Sequence, residues 1–308
     1  MFDVIPDIHG QADKLDALLA RLGWTRSSLG WRPPEPNRSL IFLGDFIDRG
    51  PENRRVVDTV RSLMDAGRAR AVMGNHELNA LLFHTIGADG VPLRRRSEAT
   101  IRQHKTFLDE YPLDAARTRE ALAWMTTLPV ALELNGLRAV HACWHAPSLA
   151  TIRGRLPDLR LAPDALADPH WRGGPIARAF DLVTKGLEIA LPPGVAFDDR
   201  AGKKRGEIRV KWWTKDARTW RDAAMSVPDP EEIPADPLPP EALAYLYDDP
   251  VPVFFGHYWL PPETPELQAP YALCLDYSAG KQGPLVAYRM EEPGAPMALS
   301  RIIGHPGL

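Results

Sequence analysis

Short apolar runs that end in a polar side chain recur along the chain. Five runs of this kind cover residues 2–5, 40–43, 71–73, 137–140 and 251–255. The polar residues that follow them are Asp7, Asp45, Asn75, His141 and His257. Because the runs lack the polar alternation of a half-exposed strand, they predict strands that are buried on both faces, as in a sheet covered by helices.

The stretches between these runs have the spacing of amphipathic helices. Leucines recur at helical intervals before Gly23, and valines, a leucine and a methionine do so before Gly67. Strands that alternate with helices predict an α/β layered fold. Ligands of such sheets bind where the carboxyl ends of the strands meet the loops, so the five polar side chains are predicted to lie at one site.

The second half of the chain is less regular. Residues 175–191 carry an apolar stripe at helical spacing and predict a helix that ends at Pro192. Twelve of the 31 prolines lie between residues 228 and 270. Proline removes a backbone donor and fixes φ, so this segment is predicted to consist mainly of loops.

Composition is that of an ordinary globular protein. The chain has 308 residues, of which 44% are hydrophobic and 25% charged, which is enough to bury a core. Its formal charge of -3 gives no general attraction to nucleic acid or membranes, so neither is a predicted partner. Two isolated cysteines, no signal peptide and no run of about 18 apolar residues together predict a reducing, cytoplasmic location without a membrane span.

The polar residues at the strand ends share the chemistry of a metal site. Together with His9, they offer carboxylate, amide and imidazole ligands, which suit Mn, Fe, Zn, Ni or Mg better than a soft thiolate site would. Hydrolysis of a phosphate ester uses such a set twice, because two cations about 3.5–4 Å apart clamp phosphoryl oxygens and generate hydroxide near neutral pH. One carboxylate is expected to bridge the two cations.

Five motifs appear in order: DIHG (7–10), GDFIDRG (44–50), GNHE (74–77), VHA (140–142) and GHY (256–258). They resemble the five blocks of the calcineurin-like metallophosphoesterases, in particular the branch of serine/threonine protein phosphatases and bacterial diadenosine tetraphosphatases. The resemblance implies an α/β fold, a four-layer α/β/β/α sandwich of two mixed sheets with a dinuclear metal site at the strand C-terminal ends. It also implies a single metallophosphoesterase domain over residues 1–308, with a loop-rich insertion around 151–250.

The metal ligands of that family carry over to matching positions in this chain. The resemblance implies that Asp7, His9 and Asp45 hold the first metal. It implies that the second metal is held by Asp45, Asn75, His141 and His257, so that Asp45 is the bridge. Two divalent metal ions are therefore expected, manganese first, with iron, zinc, nickel or magnesium as alternatives.

The resemblance also implies the catalytic residues. His76 would be the general acid, Asp48 would orient its ring, and Arg49 would bind the phosphate of the substrate. Trp259 stands where many relatives have a second histidine in the last block; the protein phosphatases lack that histidine too.

Other conspicuous residues have simpler interpretations. The segment RVKWW, residues 209–213, predicts a strand near the site, in which Lys211 is a candidate second phosphate contact. Its two tryptophans could stack on a nucleobase, but burial is the favoured interpretation. Cys143 and His145 flank the fourth motif, and we expect both to pack rather than to take part in catalysis.

Two classes of function fit these observations. The first is a metal-dependent phosphoesterase that hydrolyses phosphate esters by attack of hydroxide generated on the metals. Its substrate would be a phosphoprotein or a small phosphomonoester, with a dinucleoside polyphosphate as the alternative. The second class is a non-catalytic scaffold that keeps the fold for partner binding. A general acid and a phosphate-binding arginine beside the metals favour the enzyme, because a scaffold needs neither of them.

Overall fold

The computed structural model describes residues 1–28, 30–134, 136–199, 202–214, 216–225, 227–243 and 246–308. Its strands are β1 (Phe2–Ile5), β2 (Thr25–Ser27), β3 (Gly30–Arg32), β4 (Ser39–Phe42), β5 (Ala69–Ala71), β6 (Ala131–Leu134), β7 (Leu137–Val140), β8 (Glu188–Ala190), β9 (Phe197–Asp198), β10 (Lys204–Arg205), β11 (Glu207–Val210), β12 (Ala224–Met225), β13 (Val253–Phe255), β14 (Ala272–Cys274), β15 (Ala287–Met290) and β16 (Ile302–Ile303).

The α-helices of the same ranges are α1 (Ala12–Arg21), α2 (Asn53–Asp65), α3 (Asn75–His84), α4 (Glu98–Gln103), α5 (Lys105–Glu110), α6 (Ala116–Met125), α7 (Ala146–Arg155), α8 (Pro163–Leu166), α9 (Pro175–Lys185), α10 (Trp220–Ala223) and α11 (Pro240–Leu243). Short 3₁₀ helices span Pro230–Glu232 and Leu299–Arg301. Each helix within these described ranges is too short or too polar to serve as a membrane span.

Two mixed sheets contain the five predicted strands. The first has the order β16-β15-β1-β4-β5, in which β1, β4 and β5 are parallel and β15 is antiparallel to both of its neighbours. The second has the order β14-β13-β7-β6, in which β7, β13 and β14 are parallel and β6 is antiparallel. The mixed α/β fold predicted from the hydrophobic pattern is therefore confirmed.

The parallel strands are largely buried because most of their side chains are apolar. Leu40, Ile41 and Phe42 of β4 are completely buried. The two sheets contribute to one large apolar cluster, which we call the main core. Within it, the rings of Phe254 in β13 and Tyr288 in β15 lie 5.0 Å apart, so the two sheets are in contact.

The third predicted strand is shifted along the chain. The sequence predicts it over residues 71–73, whereas β5 ends at Ala71. The N–H of Met73 leaves the sheet and donates to the carbonyl of Pro129 at 2.8 Å, which ends the pairing before the motif begins.

The helix predicted over residues 175–191 is too long. The structure ends α9 at Lys185, and residues 188–190 form β8 instead. Gly186 stops the helix because its φ is +86°, a left-handed conformation that favours glycine. A Cβ at this position would also lie 2.5 Å from the hydroxyl oxygen of Tyr258.

A second, smaller apolar cluster lies within residues 187–242, and we call it the minor core. Its members are Leu187, Leu191, Phe197, Ile208, Val210, Ala217, Trp220, Ala223, Ala224, Ile233, Leu238 and Ala242. The sheet β12-β11-β8 contributes several of these residues. The strand predicted over residues 209–213 extends only to Val210, because β11 ends there. Trp212 and Trp213, which follow, are buried in the main core as predicted.

Candidate metal centre

The loops that follow the parallel strands interlock at one edge of the sheets. The N–H of His9 donates to the carbonyl of Asp45 at 2.9 Å, and the N–H of Gly50 donates to the carbonyl of His9 at 2.9 Å. Gly44 has a φ of +93°, and a Cβ at this position would lie 2.4 Å from the backbone nitrogen of Gly74. Glycine at this position therefore allows two of the motifs to approach closely.

Several residues of these loops have a left-handed backbone although they are not glycine. They are His9 (φ +50°), Asp45 (+53°), Asp48 (+69°), Arg49 (+68°) and His257 (+72°). Such conformations are costly and persist only where the surroundings enforce them, and they concentrate at functional sites. All five residues were predicted from the sequence to act at one site.

A buried carboxylate, that of Glu77 in α3, holds the loop after β4. Its Oε2 accepts the N–H of Asp45 at 2.8 Å and that of Gly74 at 3.0 Å, and its Oε1 accepts the N–H of Phe46 at 2.8 Å. Burial and the charge of Asp45 raise the pKa of Glu77 to about 7, although the hydrogen bonds from the N–H groups of Phe46 and Asp45 lower it. These three bonds fix the backbone that carries Asp45.

The Asp45 carboxylate lies at the middle of the centre. Its Oδ2 is 3.6 Å from His9 Nε2, 3.4 Å from His141 Nε2 and 3.9 Å from His76 Nε2. Two groups of potential metal ligands share it: His9, Asp45 and His76 form one, and Asp45, His141 and His257 form the other. Within each group the ligand atoms lie within 4.8 Å of one another.

The remaining predicted ligands lie around this carboxylate. Asn75 Oδ1 is 3.0 Å from His141 Nε2 and 2.8 Å from His257 Nδ1. Asp7 is completely buried, and its Oδ2 accepts the N–H of His257 at 3.0 Å. Asp7 belongs to neither of the two ligand groups around Asp45, but it is held against the same loops.

The donor set of this centre fits divalent cations. His9 Nε2 and His257 Nε2 are both buried and have no hydrogen-bond partner among the described residues, an arrangement that is costly for a polar atom. Burial, followed by the charges of Asp276 and Asp45, raises the pKa of Asp7 well above its usual value. Buried carboxylates and imidazole nitrogens without hydrogen-bond partners are energetically costly. A bound cation, which both groups can ligate, would remove that cost.

The histidines of the centre differ in their electrostatics. Burial lowers the pKa of His141, but the charges of Asp45 and Asp7 outweigh it, so that the pKa rises to about 10. Burial and the charge of His76 lower the pKa of His9 to about 3, which leaves its imidazole neutral as a metal ligand requires. His141 Nδ1 donates to the carbonyl of Leu43 at 2.7 Å, so its Nε2 faces Asp45.

His76 is held by Asp48, as predicted from the resemblance. Its Nδ1 lies 2.5 Å from Asp48 Oδ2, which leaves Nε2 toward the centre. Burial raises the pKa of Asp48, but hydrogen bonds from His104 and His76 lower it to about 2, so the carboxylate is charged. Burial lowers the pKa of His76, and the charge of Asp45 and the bond to Asp48 raise it above its usual value.

Asp48 has a second histidine partner that the sequence analysis did not single out. His104, between α4 and α5, is buried, and its Nδ1 lies 2.8 Å from Asp48 Oδ1. Its ring packs between aromatic neighbours, with a ring centroid 4.7 Å from that of Phe107 and 5.2 Å from that of Phe83. Both oxygens of Asp48 are therefore bonded to imidazoles.

The loop of Asp48 is also fixed from α2 and α5. Asn53 Oδ1 accepts the N–H of Asp48 at 2.5 Å, and Asn53 Nδ2 donates to the carbonyl of Gly50 at 3.0 Å. Glu110 in turn accepts the N–H of Asn53 at 2.6 Å and the Nδ2–H of Asn53 at 3.0 Å. The amide of Asn53 is thereby held in one orientation.

Arg49 and Lys211, the two predicted phosphate contacts, lie in different places. Arg49 is exposed, and its guanidinium carbon lies 4.2 Å from the ring centroid of Trp259, whose ring stacks near His9. Lys211 instead lines a cleft of about 580 Å³ with residues such as Arg221 and Asp222. No contact in the described part of the chain joins Lys211 to the centre, so its predicted role receives no support.

The residues beside the fourth motif have packing roles. Burial raises the pKa of the Cys143 thiol above its usual range, so it stays protonated, and both cysteines are free and buried. His145 Nδ1 lies 2.7 Å from Ser148 Oγ and accepts the N–H of Ser148 at the start of α7.

Sequence reasoning missed four polar residues that support the centre: Glu77, Asn53, His104 and Asp276. Glu77 stands inside the GNHE motif, so its position was a usable signal. His104 and Asp276 lie in unremarkable local sequence, and only the fold brings them beside Asp48 and Asp7. Isolated titratable residues of this kind carry no local pattern that marks them.

Comparison with known proteins agrees with the motifs. Residues 1–176 match the family model of the calcineurin-like phosphoesterases. The bis(5'-nucleosyl)-tetraphosphatase PrpE (asymmetrical) of Bacillus subtilis is 30% identical over 189 residues, which cover 60% of this chain and 75% of that protein. A symmetrical bis(5'-nucleosyl)-tetraphosphatase of Aromatoleum aromaticum is 28% identical over 249 residues, which cover 76% of this chain and 74% of that protein.

A solved structure supports the fold. A cold-active protein tyrosine phosphatase, 16% identical in sequence, superposes with a TM-score of 0.50, and the match covers 94% of this chain and 73% of that chain. At this level of identity the likeness speaks for the fold alone.

Proposed function

Because the chain belongs to the calcineurin-like phosphoesterase family and is a phosphoesterase, we propose that its buried polar centre binds two divalent metal ions and hydrolyses phosphate esters there. One observation carries the proposal: His9 and His257 belong to the two ligand groups that share Asp45, and the Nε2 atom of each is buried without a hydrogen-bond partner among the described residues. Polar atoms buried in this way need a ligand, and metal cations are the ligands that imidazole and carboxylate share.

The proposed ligands are those implied by the motifs. The first metal is assigned to Asp7, His9 and Asp45. The second metal is assigned to Asp45, Asn75, His141 and His257, with Asp45 as the bridge. When bound, two such cations polarise the phosphoryl oxygens and lower the pKa of a coordinated water. Manganese is the proposed metal, and iron, zinc, nickel and magnesium are the alternatives to compare.

His76 is the proposed general acid. Asp48 occupies its Nδ1, so Nε2 is the atom that carries a proton toward the leaving group. A pKa above the usual value favours the protonated ring, and the oxygen of a poor leaving group needs that proton. His76 also forms a group with His9 and Asp45 in which the potential ligand atoms lie within 4.8 Å of one another. A metal-ligand role is therefore the competing assignment for His76.

Arg49 is the proposed contact for the reacting phosphate. Its guanidinium is exposed beside the centre, where the Trp259 ring supports its flat face. An arginine in this arrangement presents N–H groups along its edge, which match two phosphate oxygens. Lys211 is not part of the proposal.

The proposal extends to the architecture. We assign the two mixed sheets to the inner layers of a four-layer α/β/β/α sandwich, because Phe254 and Tyr288 join them ring to ring. Residues 1–308 are assigned to one metallophosphoesterase domain, in which residues 151–250 form an insertion with short elements.

For the substrate, two candidates have specific support. A dinucleoside polyphosphate is favoured because two bis(5'-nucleosyl)-tetraphosphatases match the chain over most of their length. A phosphomonoester or phosphoprotein is the second candidate, because Trp259 replaces the histidine that the protein-phosphatase branch also lacks.

A panel assay tests the function. Purified protein is stripped of metal, reloaded with Mn, Mg, Zn, Ni or Fe, and assayed with nitrophenyl phosphate, a phosphopeptide and diadenosine tetraphosphate. The proposal predicts turnover that requires added metal, together with two metal ions per chain by elemental analysis. Turnover that survives metal removal would contradict the metal mechanism. Metal binding without turnover of any substrate would favour the scaffold.

A further inference from the structure

Two cations beside the metal centre share one aromatic ring. The Arg49 guanidinium carbon lies 4.2 Å from the ring centroid of Trp259, and the Lys281 ammonium nitrogen lies 4.4 Å from it. The two cationic groups are therefore no farther apart than the sum of these distances. Both residues are exposed, so a ligand outside the protein can reach them.

Neither cation is neutralised by an acidic side chain of the described residues. In the part of the chain that the structure describes, Arg49 and Lys281 have no ion pair and no side-chain hydrogen bond, and their recorded contacts are with the indole. Other arginines differ: Arg138, for example, pairs with Glu133 and Asp249. Two exposed cationic groups without an acidic partner give this surface a positive potential, which attracts anionic groups of a ligand.

The turn that carries Lys281 is rigidly held. Lys14 of α1 donates from its Nζ to the carbonyls of Ala279 at 2.8 Å, Gly283 at 2.9 Å and Lys281 at 3.3 Å. The N–H of Lys281 also donates to the carbonyl of Ser278 at 2.9 Å. Residues 278–283 are thus fixed from inside the turn and from α1.

One buried carboxylate connects this turn to the tryptophan. Asp276 accepts the N–H of Trp259 on Oδ2 at 2.9 Å and the N–H of Ser278 on Oδ1 at 2.9 Å. Both donors have a left-handed backbone, with φ of +54° and +64°, which the carboxylate stabilises. Because the backbone of this turn is already ordered, binding of a ligand there does not require the turn to lose conformational entropy.

The same turn touches a proposed metal ligand. A Cβ on Gly280 would lie 2.5 Å from His9 Cδ2, so the turn packs directly against the His9 ring. The Trp259 ring also stacks near His9, with centroids 5.7 Å apart. The turn that carries Lys281 therefore borders the centre.

We propose that Lys281, which lies over the same Trp259 ring as Arg49, binds a second phosphate group that is linked to the phosphate contacted by Arg49 at the centre. The substrate class that fits is a phosphate chain esterified to nucleosides, because its successive charges follow one another at short spacing along one chain. This inference rests on the proposed phosphate-ester site and extends it, since a simple monoester has nothing to offer Lys281.

Kinetics with two substrates test the subsite. The manganese-loaded enzyme is assayed with nitrophenyl phosphate, which has one phosphate, and with diadenosine tetraphosphate. In Lys281→Met, the KM for diadenosine tetraphosphate relative to that for nitrophenyl phosphate should rise about tenfold, as expected for one charged hydrogen bond. Lys281→Arg should restore most of the ratio. Lys203→Met, which removes the same charge from an exposed lysine outside the centre, should leave the ratio as in the wild type.

The outcomes that overturn the subsite are distinct from failure of the proposed function. An unchanged KM ratio in Lys281→Met, or an equal change in Lys203→Met, removes Lys281 from substrate binding. An equal rise in KM for an acidic phosphopeptide would assign the cations to a protein substrate instead. If the wild type turns over neither substrate, the proposed function fails first.

A binding measurement keeps the subsite testable in that case. Calorimetric titration with orthophosphate and inorganic tripolyphosphate, at constant free manganese, compares one phosphate with a linked chain. Wild-type protein should prefer tripolyphosphate, and Lys281→Met should lose about tenfold of that preference. Equal affinity of the wild type for both anions would overturn the proposal.

Discussion

The metal centre and the minor core hold their backbone by opposite means. The loops of the centre are fixed by buried polar side chains, such as Glu77, whose carboxyl oxygens accept three backbone N–H groups. The minor core is a cluster of apolar side chains. Ion pairs near it, such as Arg209 with Glu188 and Arg221 with Glu231, lie at the surface. Exposed pairs of this kind contribute little to stability.

This difference separates function from stability. A change in the centre alters charge in a place where water cannot compensate, so its effect falls on metal binding and turnover. A change in the minor core removes apolar contact and acts on the free energy of unfolding. The following variants test that separation, in order of decreasing expected effect.

Asp45→Asn should have the largest effect. It removes the carboxylate charge that both proposed metals share and leaves His9 and His141 without their common partner. We expect the variant to lose both metals. Removing a residue that only supports a metal ligand lowers activity roughly 10- to 100-fold, and the loss in Asp45→Asn should be larger. Elemental analysis and the kcat of the purified variant measure this. Two tightly bound metals in Asp45→Asn would refute the bridge.

His76→Asn should keep both metals and lose activity according to the leaving group. We expect a loss on the order of 10²- to 10⁴-fold with an alkyl phosphate, because protonation of its leaving oxygen is then missing. With nitrophenyl phosphate the loss should be clearly smaller, since nitrophenolate leaves without a proton. Equal losses with both substrates, or loss of metal, would make His76 a ligand or a phosphate contact.

His104→Phe should produce the same leaving-group bias in a milder form. It removes one of the two imidazoles that hold Asp48, and a loss on the order of tenfold is typical for such a supporting partner. In His104→Asn, the side-chain amide can replace the Nδ1 donor and should rescue most of the activity. His84→Asn is the control, because His84 lies beside His104 without contacting Asp48. A larger effect in the control would point to general damage of the pocket.

Matched isoleucine truncations compare the two regions directly. Ile5→Ala in β1 and Ile208→Ala in β11 each remove a completely buried side chain. Both should lower the free energy of unfolding by about 2–5 kcal/mol. Only Ile5→Ala should also lower metal content, since β1 leads into Asp7, whereas Ile208→Ala should retain its metals and turnover below its unfolding temperature. Equal metal loss in both variants would mean that destabilising the minor core also weakens metal binding at the centre.

The smallest expected difference between the two regions is in how the free energy of unfolding depends on acid pH. Burial, with the charges of His104 and Arg96, lowers the pKa of His84 from 6.5 to about 4. Between these values the unfolded chain binds a proton that the folded chain does not, so the free energy of unfolding falls as pH drops from 6.5 toward 4. His84→Phe should reduce that dependence in denaturant titrations at several pH values. The minor core has no histidine among its members and should not contribute.

The two regions also differ in how much the sequence could predict. Strands β1, β4 and β7 were placed nearly residue by residue, because a buried strand of a parallel sheet leaves an uninterrupted apolar run. The six proposed metal ligands follow such runs or directly adjoin them, and they meet because parallel strands direct their carboxyl ends to one edge. That part of the centre follows from local pattern and general sheet geometry.

The supporting residues could not be predicted in this way. His104 and Asp276 reach the centre through loops, and their neighbours in sequence give no sign of it. The end of α9 at Lys185 depends on Gly186, which leaves room for the hydroxyl of Tyr258 from a distant segment. Lys281 faces Trp259 only because Asp276 and Lys14 shape its turn. Each of these features depends on tertiary contact, which a single sequence does not display.

The bond from the His257 backbone to Asp7 joins residues 250 positions apart, and the bond from Lys14 to Gly283 spans 269. Contacts of such high sequence separation form slowly, because the loop between them must close before they stabilise the chain. A ribosome-bound chain therefore cannot complete this centre until residue 257 has emerged from the exit tunnel. Metal capture is thus expected to be a late event, which the metal content of ribosome-bound chains halted before and after residue 257 has emerged can test.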